Sequence, residues 1–184
     1  MECRLNRGRE YALLDPTNAY EKEHLKSWRR HIVLEKPRLT VVVDEVVCDK
    51  GDEIETRFHS ECETELRKDH VLLHGEKGMM ALIPVVDGDF TFRPGKHSFL
   101  ALRTDAEHQW IPYFGTVLTA KGKKTVVATI IAPVKDEADA GNLMASVKRT
   151  MDSKGSMTLS LVYEGEDLNF HFNNNRGQLL LSEN

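Results

Sequence analysis

Three side chains in the first third of the chain are of types that hold metal ions. His31, Asp44 and His59 lie on segments predicted to form consecutive antiparallel strands, which could bring them together. Two imidazoles and a carboxylate are ligands that zinc accepts. Asp44 also interrupts an apolar run, where a carboxylate needs a partner, and Arg29, Arg30 or a turn amide is the alternative partner. Because the trio has no HxH or HxxxH spacing, the sequence predicts no metal site. These three residues are nevertheless the candidate ligands whose positions in the fold need to be checked.

Two aromatic side chains are the candidates for binding a sugar. Trp110 and Tyr113 lie in a segment with Pro112, which indicates an edge strand or a bulge. Exposed rings beside polar groups could act as stacking platforms for a sugar. The alternative is that both rings belong to the hydrophobic core, where aromatic side chains on strands are commonly found.

The chain shows no catalytic signature that would be sufficient by itself. It contains no GxSxG, no GxGxxG and no phosphate-binding loop. Carboxylate pairs such as Asp44 with Glu45, or Asp87 with Asp89, alternate between faces or flank a turn, so they are not placed for glycosidic acid–base chemistry. The sequence therefore predicts no catalytic residue.

Short β-rich runs separated by Gly, Pro, Asp and Asn would position these side chains. Along residues 28–34, Trp28 is in register with Ile32 and Leu34 and is predicted to be core, whereas His31 falls on the opposite face. About a dozen such runs, spaced about 8–12 residues apart, predict an all-β fold, an antiparallel β-sandwich with at most one or two short helices. The helical candidate spans 136–151, and residues 1–184 are predicted to form a single domain.

Several glycines indicate where the chain turns. Gly51 is placed for a positive φ in the turn 49–52. The segments 75–78, 87–89, 121–123 and 164–167 each carry a hairpin signal between two predicted strands.

Composition excludes several classes of function. The 184 residues are 40% hydrophobic and 29% charged, with a net charge of -4, which argues against nucleic acid as a partner. No apolar stretch approaches the roughly 20 residues of a membrane-spanning helix. The first residues lack the apolar core of a signal peptide, so the leader of a secreted or periplasmic parent would lie upstream. The three cysteines are expected to be free thiols, the alternative being a bridge between Cys48 and Cys62.

Four segments carry a resemblance to a known family. They are Asp15-Pro-Thr-Asn-Ala-Tyr20, Lys26-Ser-Trp-Arg-Arg-His-Ile-Val-Leu34, Val41-Val-Val-Asp-Glu-Val46 and Thr56-Arg-Phe-His-Ser60. In this order they resemble the C-terminal β-sandwich domain of heparinase II/III-like polysaccharide lyases. The resemblance implies a substrate class, acidic polysaccharide, cleaved by β-elimination. It also implies a partner, an N-terminal α/α toroid that supplies catalytic Tyr, His and Asn residues.

The same resemblance limits what can be transferred to this chain. The family's GHxHxD segment, which provides His and Asp groups, is absent from the sequence, so no catalytic or metal residue is carried over. Zinc or another divalent ion would belong to the parent enzyme. We therefore expect the sandwich portion of a lyase that lacks the catalytic half and is inactive alone. The alternative is a stand-alone β-sandwich that binds carbohydrate or protein without catalysis.

Overall fold

The predicted all-β antiparallel fold is confirmed. The computed structural model describes residues 2–5, 8–20, 25–99 and 109–182, and within these ranges nearly all regular structure is extended. No helix among them is long and apolar enough to cross a membrane. The described elements are β1 (Glu2–Leu5), β2 (Arg9–Leu14), a 3-10 turn (Thr17–Ala19), β3 (Leu25–Glu35), β4 (Leu39–Cys48), β5 (Glu53–His59), β6 (Glu63–Leu66), β7 (Val71–Gly75), β8 (Gly78–Val85), β9 (Thr91–Phe99), β10 (Gln109–Thr119), β11 (Lys124–Val134), α1 (Glu137–Ser146), β12 (Lys148–Met151), β13 (Met157–Tyr163), β14 (Glu166–Asn175) and β15 (Gln178–Leu181).

Three antiparallel sheets pack in layers. The middle sheet has the strand order β1-β2-β3-β4-β11-β8-β7-β6, and the two outer sheets have the orders β5-β10-β9 and β12-β13-β14-β15. Alternation along β4 shows the layering, because Val41 and Val43 pack against the four-stranded sheet. Val46 and Cys48, on the other face, pack against the three-stranded sheet. The continuous apolar run of β4 is thus covered on both sides.

The helix is shorter than the sequence predicts. It ends at Ser146, and residues 148–151, predicted to be helical, form β12 against β13. The Asp136 side chain caps its first turn by accepting a hydrogen bond from the Asp139 N–H at 2.8 Å. Gly141 lies inside the helix. Pairing with the neighbouring strand outweighs the weak helical preference of the last turn.

Two of the four predicted hairpins are wrong. The segments 75–78 and 164–167 do join paired strands, β7 with β8 and β13 with β14. The segments 87–89 and 121–123 instead connect strands that lie in different sheets. The turn at Gly51 has the expected positive φ of 95°. A turn signal shows that the chain reverses, but the alternating pattern does not show which sheet the next strand joins.

A buried carboxylate in β4 connects three other strands. Glu45 is only 3% exposed. One of its oxygens lies 3.0 Å from His31 Nε2 of β3, the other lies 2.5 Å from Lys124 Nζ of β11, and both accept from the Leu179 N–H of β15 at 3.0 Å. Burial alone would raise the pKa of Glu45, but these donors outweigh it and hold its pKa below the ordinary value. The carboxylate thereby ties the middle sheet to the four-stranded sheet.

We expect Glu45→Gln to lower the free energy of unfolding by about 3 kcal/mol, because the cations around it lose a buried partner. Urea unfolding at neutral pH measures this. The exposed Glu61 offers a matched control, and Glu61→Gln should leave the free energy of unfolding nearly unchanged. Equal stability of the two variants would contradict the role given to Glu45.

The lowered pKa of Glu45 also predicts a pH dependence. Its contribution to stability is fully present above the ordinary value of 4.5 and is lost as the pH falls through the lower folded-state pKa. The stability difference between the native chain and Glu45→Gln should therefore stay constant near neutrality and shrink in acid. Unfolding both proteins in urea between neutral pH and about pH 3 tests this, and a difference that does not change with pH would count against it.

Candidate functional site

A groove runs along the free edge of β5, the edge strand of the three-stranded sheet. Its volume is about 750 Å³, within the range of small-ligand sites. One wall is β5, and the other consists of β3, the end of β4 and Tyr20. The polar and aromatic lining residues are Tyr20, Trp28, Arg30, Asp52, Glu53, Glu55, Thr56, Arg57, His59 and His97.

Asp44 organises the floor of the groove. It is 1% exposed and accepts from Trp28 Nε1 at 2.7 Å. Its two oxygens also accept from Arg30 Nε and Nη2 at 2.7 and 2.9 Å. The Arg30 guanidinium lies over the Trp28 ring, 5.0 Å from the ring centre. The structure shows Asp44 in an ion pair with Arg30, which is the alternative to a metal ligand that the sequence left open.

The segment Asp15–Tyr20 places a tyrosine beside the groove. Tyr20 is 52% exposed and contacts Trp28 edge-on, with ring centres 5.2 Å apart. Upstream, Thr17 Oγ1 accepts from the Trp28 N–H at 2.9 Å and lies 2.5 Å from Asp15 Oδ1. Hydrogen bonds from Thr17 hold the pKa of Asp15 below its usual range. The Asp15–Tyr20 motif thus serves to hold Tyr20 against β3.

The opposite wall carries a second cluster of rings and charges. Arg57 donates to Glu55 at 2.6 Å and lies over the Tyr113 ring, 4.6 Å from its centre. His59 lies 5.7 Å from Tyr113 and 6.4 Å from His97, measured between ring centres. The hydrogen bond to Glu55 raises the pKa of Arg57, so the guanidinium stays charged.

Two glycines make room for this cluster. A Cβ placed on Gly95 would lie 2.4 Å from the Tyr113 ring, and one on Gly115 would lie 2.4 Å from Glu55 Oε1. The Tyr113 ring therefore lies directly over the backbone of Gly95, and the Glu55 carboxylate lies directly over the backbone of Gly115. Neither position has a positive φ, so the requirement for glycine is steric.

Two buried polar atoms on β5 lack hydrogen-bond partners among the described residues. They are Glu55 Oε1, an acceptor, and Thr56 Oγ1, which can both donate and accept. Both residues line the groove. Buried polar atoms normally have partners, but a ligand cannot reach atoms that have no accessible surface, so these two are unsatisfied groups inside the wall of the groove.

The structure does not bring the three metal candidates together. His31 and Asp44 lie on opposite faces of the middle sheet, because His31 packs on Phe172 of the four-stranded sheet whereas Asp44 faces the groove. His59 is on β5, which leaves the middle sheet, so the expected set of three adjacent strands is wrong. Among the described residues there is no cluster of three metal-binding side chains.

The two sugar-binding candidates do not form one platform. Trp110 is 62% exposed, and Tyr113 is partly buried on the other face of β10, since the two are three residues apart in an unbroken strand. Tyr113 supports the groove wall through Arg57 and His59. Trp28, predicted to be core, packs against the core but also lines the groove.

Sequence reasoning missed Tyr20, Glu55 and Arg57 as site residues. The Asp15–Tyr20 motif was a signal for the first of them, since it ends on an aromatic residue tied to β3. No sequence signal marked the other two, because the groove exists only where β5 lies beside β3.

The glycine at position 95 provides a test of this geometry. We expect Gly95→Ala to lower the free energy of unfolding by about 1–2 kcal/mol, because the new methyl group displaces the Tyr113 ring. Gly78→Ala is the matched control, since a Cβ there meets no atom within 4 Å. Urea unfolding of both variants measures the difference, and equal stabilities would show that the ring does not pack as described.

Comparisons with known proteins agree with this architecture. A family model described as "Heparinase II/III-like, C-terminal" matches residues 2–153. The solved structure of a heparinase III superposes with a TM-score of 0.67 and 15% identity, covering 92% of this chain and 26% of that one. Heparan sulfate lyase HepC from Pedobacter heparinus gives a TM-score of 0.66 and 11% identity, covering 98% of this chain and 27% of that one. No curated protein sequence matches the chain.

These likenesses carry different weight. At such low identity the solved structures show the fold alone, and the chain spans only 26–27% of their length. The family match shows family membership, because the matched residues make up most of this chain. The chain therefore belongs to the heparinase II/III-like C-terminal family, as the order of its motifs predicted.

Proposed function

We propose that this chain is the C-terminal sandwich portion of a lyase that cleaves uronic-acid polysaccharides by β-elimination. The family match over residues 2–153 is the observation that carries the proposal. The fold supports it, since proteins named heparinase III and heparan sulfate lyase contain a similar fold over 26–27% of their length.

The partner we propose is an α/α toroid domain of the same parent enzyme. The buried clusters beneath the three-stranded sheet contain no described residue of β1 or β2, so that sheet covers only part of the middle sheet. The uncovered part carries a partly exposed apolar strip on β2 and β3, formed by Ala12, Leu14, Ile32 and Leu34. A strip of this kind beside a groove suits a further protein layer.

Catalysis is proposed to depend on that partner. β-Elimination needs a base for the C5 proton, an acid for the leaving oxygen and a positive group that neutralises the uronate carboxylate. In the described groove, Arg30 and Arg57 are already paired with Asp44 and Glu55. A paired guanidinium neutralises an added carboxylate poorly, so we do not assign that role to the arginines of the described groove. We propose that any divalent ion also belongs to the parent enzyme rather than to His31, Asp44 and His59.

A stand-alone carbohydrate-binding sandwich is the second candidate. The half-exposed Tyr20 ring beside a polar groove is the observation that favours it. The two functions differ in one respect: the second needs no partner layer over the strip on β2 and β3.

We expect the purified chain to release no unsaturated uronate from heparin, heparan sulfate, alginate or hyaluronan, with or without zinc. The elimination product contains a double bond conjugated to its carboxylate, so ultraviolet absorbance follows it directly. A complete lyase of the family serves as the positive control for each polysaccharide. A rise in absorbance with the chain alone would overturn the proposal that it lacks catalysis.

A further inference from the structure

The pairing of β5 with β10 shows which backbone groups of β5 face away from the sheet. The two strands are antiparallel and their register is unbroken. The Ser60 N–H donates to the Pro112 carbonyl just beyond one end of β5, and the Ala120 N–H donates to the Asp52 carbonyl at the other end. Such bonds recur at every second residue of an antiparallel pair, so the even-numbered residues of β5 are bonded to β10. The residues whose N–H and C=O groups point outward are Glu53, Glu55, Arg57 and His59.

This outer edge of β5 is open within the described structure. Among the described residues, no strand pairs with it, and no turn or loop backbone bonds to the four outward positions. The groove of about 750 Å³ runs beside the same edge, so the edge borders open space. A row of alternating backbone donors and acceptors is the surface to which an extended polypeptide adds as a further strand.

The other described sheet edges carry features that oppose such pairing. β1, β6, β12 and β15 have four residues each. β9 is longer, but Pro94 and Lys96 lie at its outward-facing backbone positions, since its odd-numbered residues are the ones opposite the β10 residues that face it. Short length, proline and lysine are the means by which natural edges avoid pairing with another chain. β5 has seven residues and contains neither proline nor lysine, so it is the least protected of the described edges.

A strand added to β5 would also find apolar surface beneath it. Ile54 packs against the middle sheet, so the side chains of an added strand that lie in register with it would point the same way. On that side Trp28 and Arg30 line the groove. Ile32 and Leu34 continue along the same face of β3 as part of the apolar strip on β2 and β3. Strand addition would therefore cover surface that the three-stranded sheet leaves open.

We infer that the outer edge of β5 accepts an extended segment of the partner domain as a fourth strand of the three-stranded sheet. This mode of binding rests on the proposed function for one point, the existence of that partner. The chain spans only 26–27% of the similar solved proteins, so most of a parent of that size lies outside it and could supply the segment.

The side chains of β5 define the segment that fits. Every second residue of the segment should be apolar, because those side chains point toward the groove and the strip. The residues between them lie opposite the outward-facing charges of β5. In an antiparallel alignment an acid opposite Arg57 and bases opposite Glu55 and Glu53 complement these charges.

Residue-resolved amide hydrogen exchange of the 184-residue chain tests the inference with a designed peptide. The probe is Glu-Ile-Glu-Thr-Lys-Ile-Lys with both ends capped, which places its lysines opposite Glu55 and Glu53 when it pairs antiparallel. With about 1 mM peptide we expect exchange at the four outward amides of β5 to slow about tenfold or more. Unchanged exchange at these four amides would overturn the inference, as would equal slowing throughout the chain.

N-methylation of the peptide provides a matched control. The third and fifth peptide residues would exchange hydrogen bonds with β5, whereas the N–H groups of the fourth and sixth would point away from it. We expect the peptide methylated at the third and fifth nitrogens to give no protection, and the one methylated at the fourth and sixth to protect as the parent peptide does. Equal behaviour of the two methylated peptides would contradict pairing through the backbone.

A variant of the chain removes one outward donor without changing the pairing with β10. Arg57→Pro lacks the N–H that faces outward at this position, and Arg57→Ala removes the side chain alone. The proline variant should weaken peptide binding about tenfold, and the alanine variant less than about fivefold. Similar affinities of the two variants would count against the edge. If Arg57→Pro does not fold, the methylated peptides decide the question.

Two further outcomes can be told apart. Slowing of the same four amides as the chain concentration rises, without peptide, would assign the edge to a second copy and overturn the partner segment. Release of unsaturated uronate by the chain alone would overturn the non-catalytic role, while the exchange data would still show whether β5 takes an added strand.

Discussion

The burial of Glu45 is the constraint on which the packing of this sandwich depends. A carboxylate in the middle of an apolar strand carries a large desolvation cost, which only several well-placed donors offset. Here those donors come from β3, β11 and β15, three strands far apart in the chain. The middle sheet and the four-stranded sheet must therefore meet in one register for the carboxylate to be satisfied. We infer that Glu45 contributes specificity of packing as much as stability.

The preceding residue, Asp44, holds side chains in place on the other face of the same strand. Successive side chains of a strand point to opposite faces, so adjacent acids on β4 serve two different interfaces. Asp44 orients Trp28 and holds Arg30, and these two side chains form the floor of the groove. The pair Asp44-Glu45 within an apolar run thus links the assembly of the layers to the geometry of the candidate site.

The same alternation explains why two of the three candidate metal ligands, His31 and Asp44, do not meet. His31 and Asp44 both lie on strands of the middle sheet, and their segments were assigned correctly. They point to opposite faces, however, because Arg30, not His31, is the cross-strand partner of Asp44. A one-residue difference in pairing register decides which side chains meet, and the sequence of an isolated strand does not show that register.

Both arginines that line the groove are paired with carboxylates, and this pairing limits how the groove could bind an acidic polymer. Arginines in a site for anions are expected to present free donors. Those in the groove are held by carboxylates and by aromatic rings, Arg30 on Trp28 and Arg57 on Tyr113. Arginines held in this way form walls of the groove and do not present free donors to an anion.

The sequence by itself determined the all-β class, most of the strands, the turn at Gly51 and the family, because periodicity, glycine chemistry and motif order are local properties of the chain. Only the tertiary structure decided that β5 leaves the middle sheet, that residues 148–151 form a strand, and that Tyr20 and Glu55 line the same groove. The physical reason is that sheet membership and register depend on contacts between distant segments. Those contacts are formed by burying apolar faces and pairing buried charges, and neither can be evaluated one strand at a time.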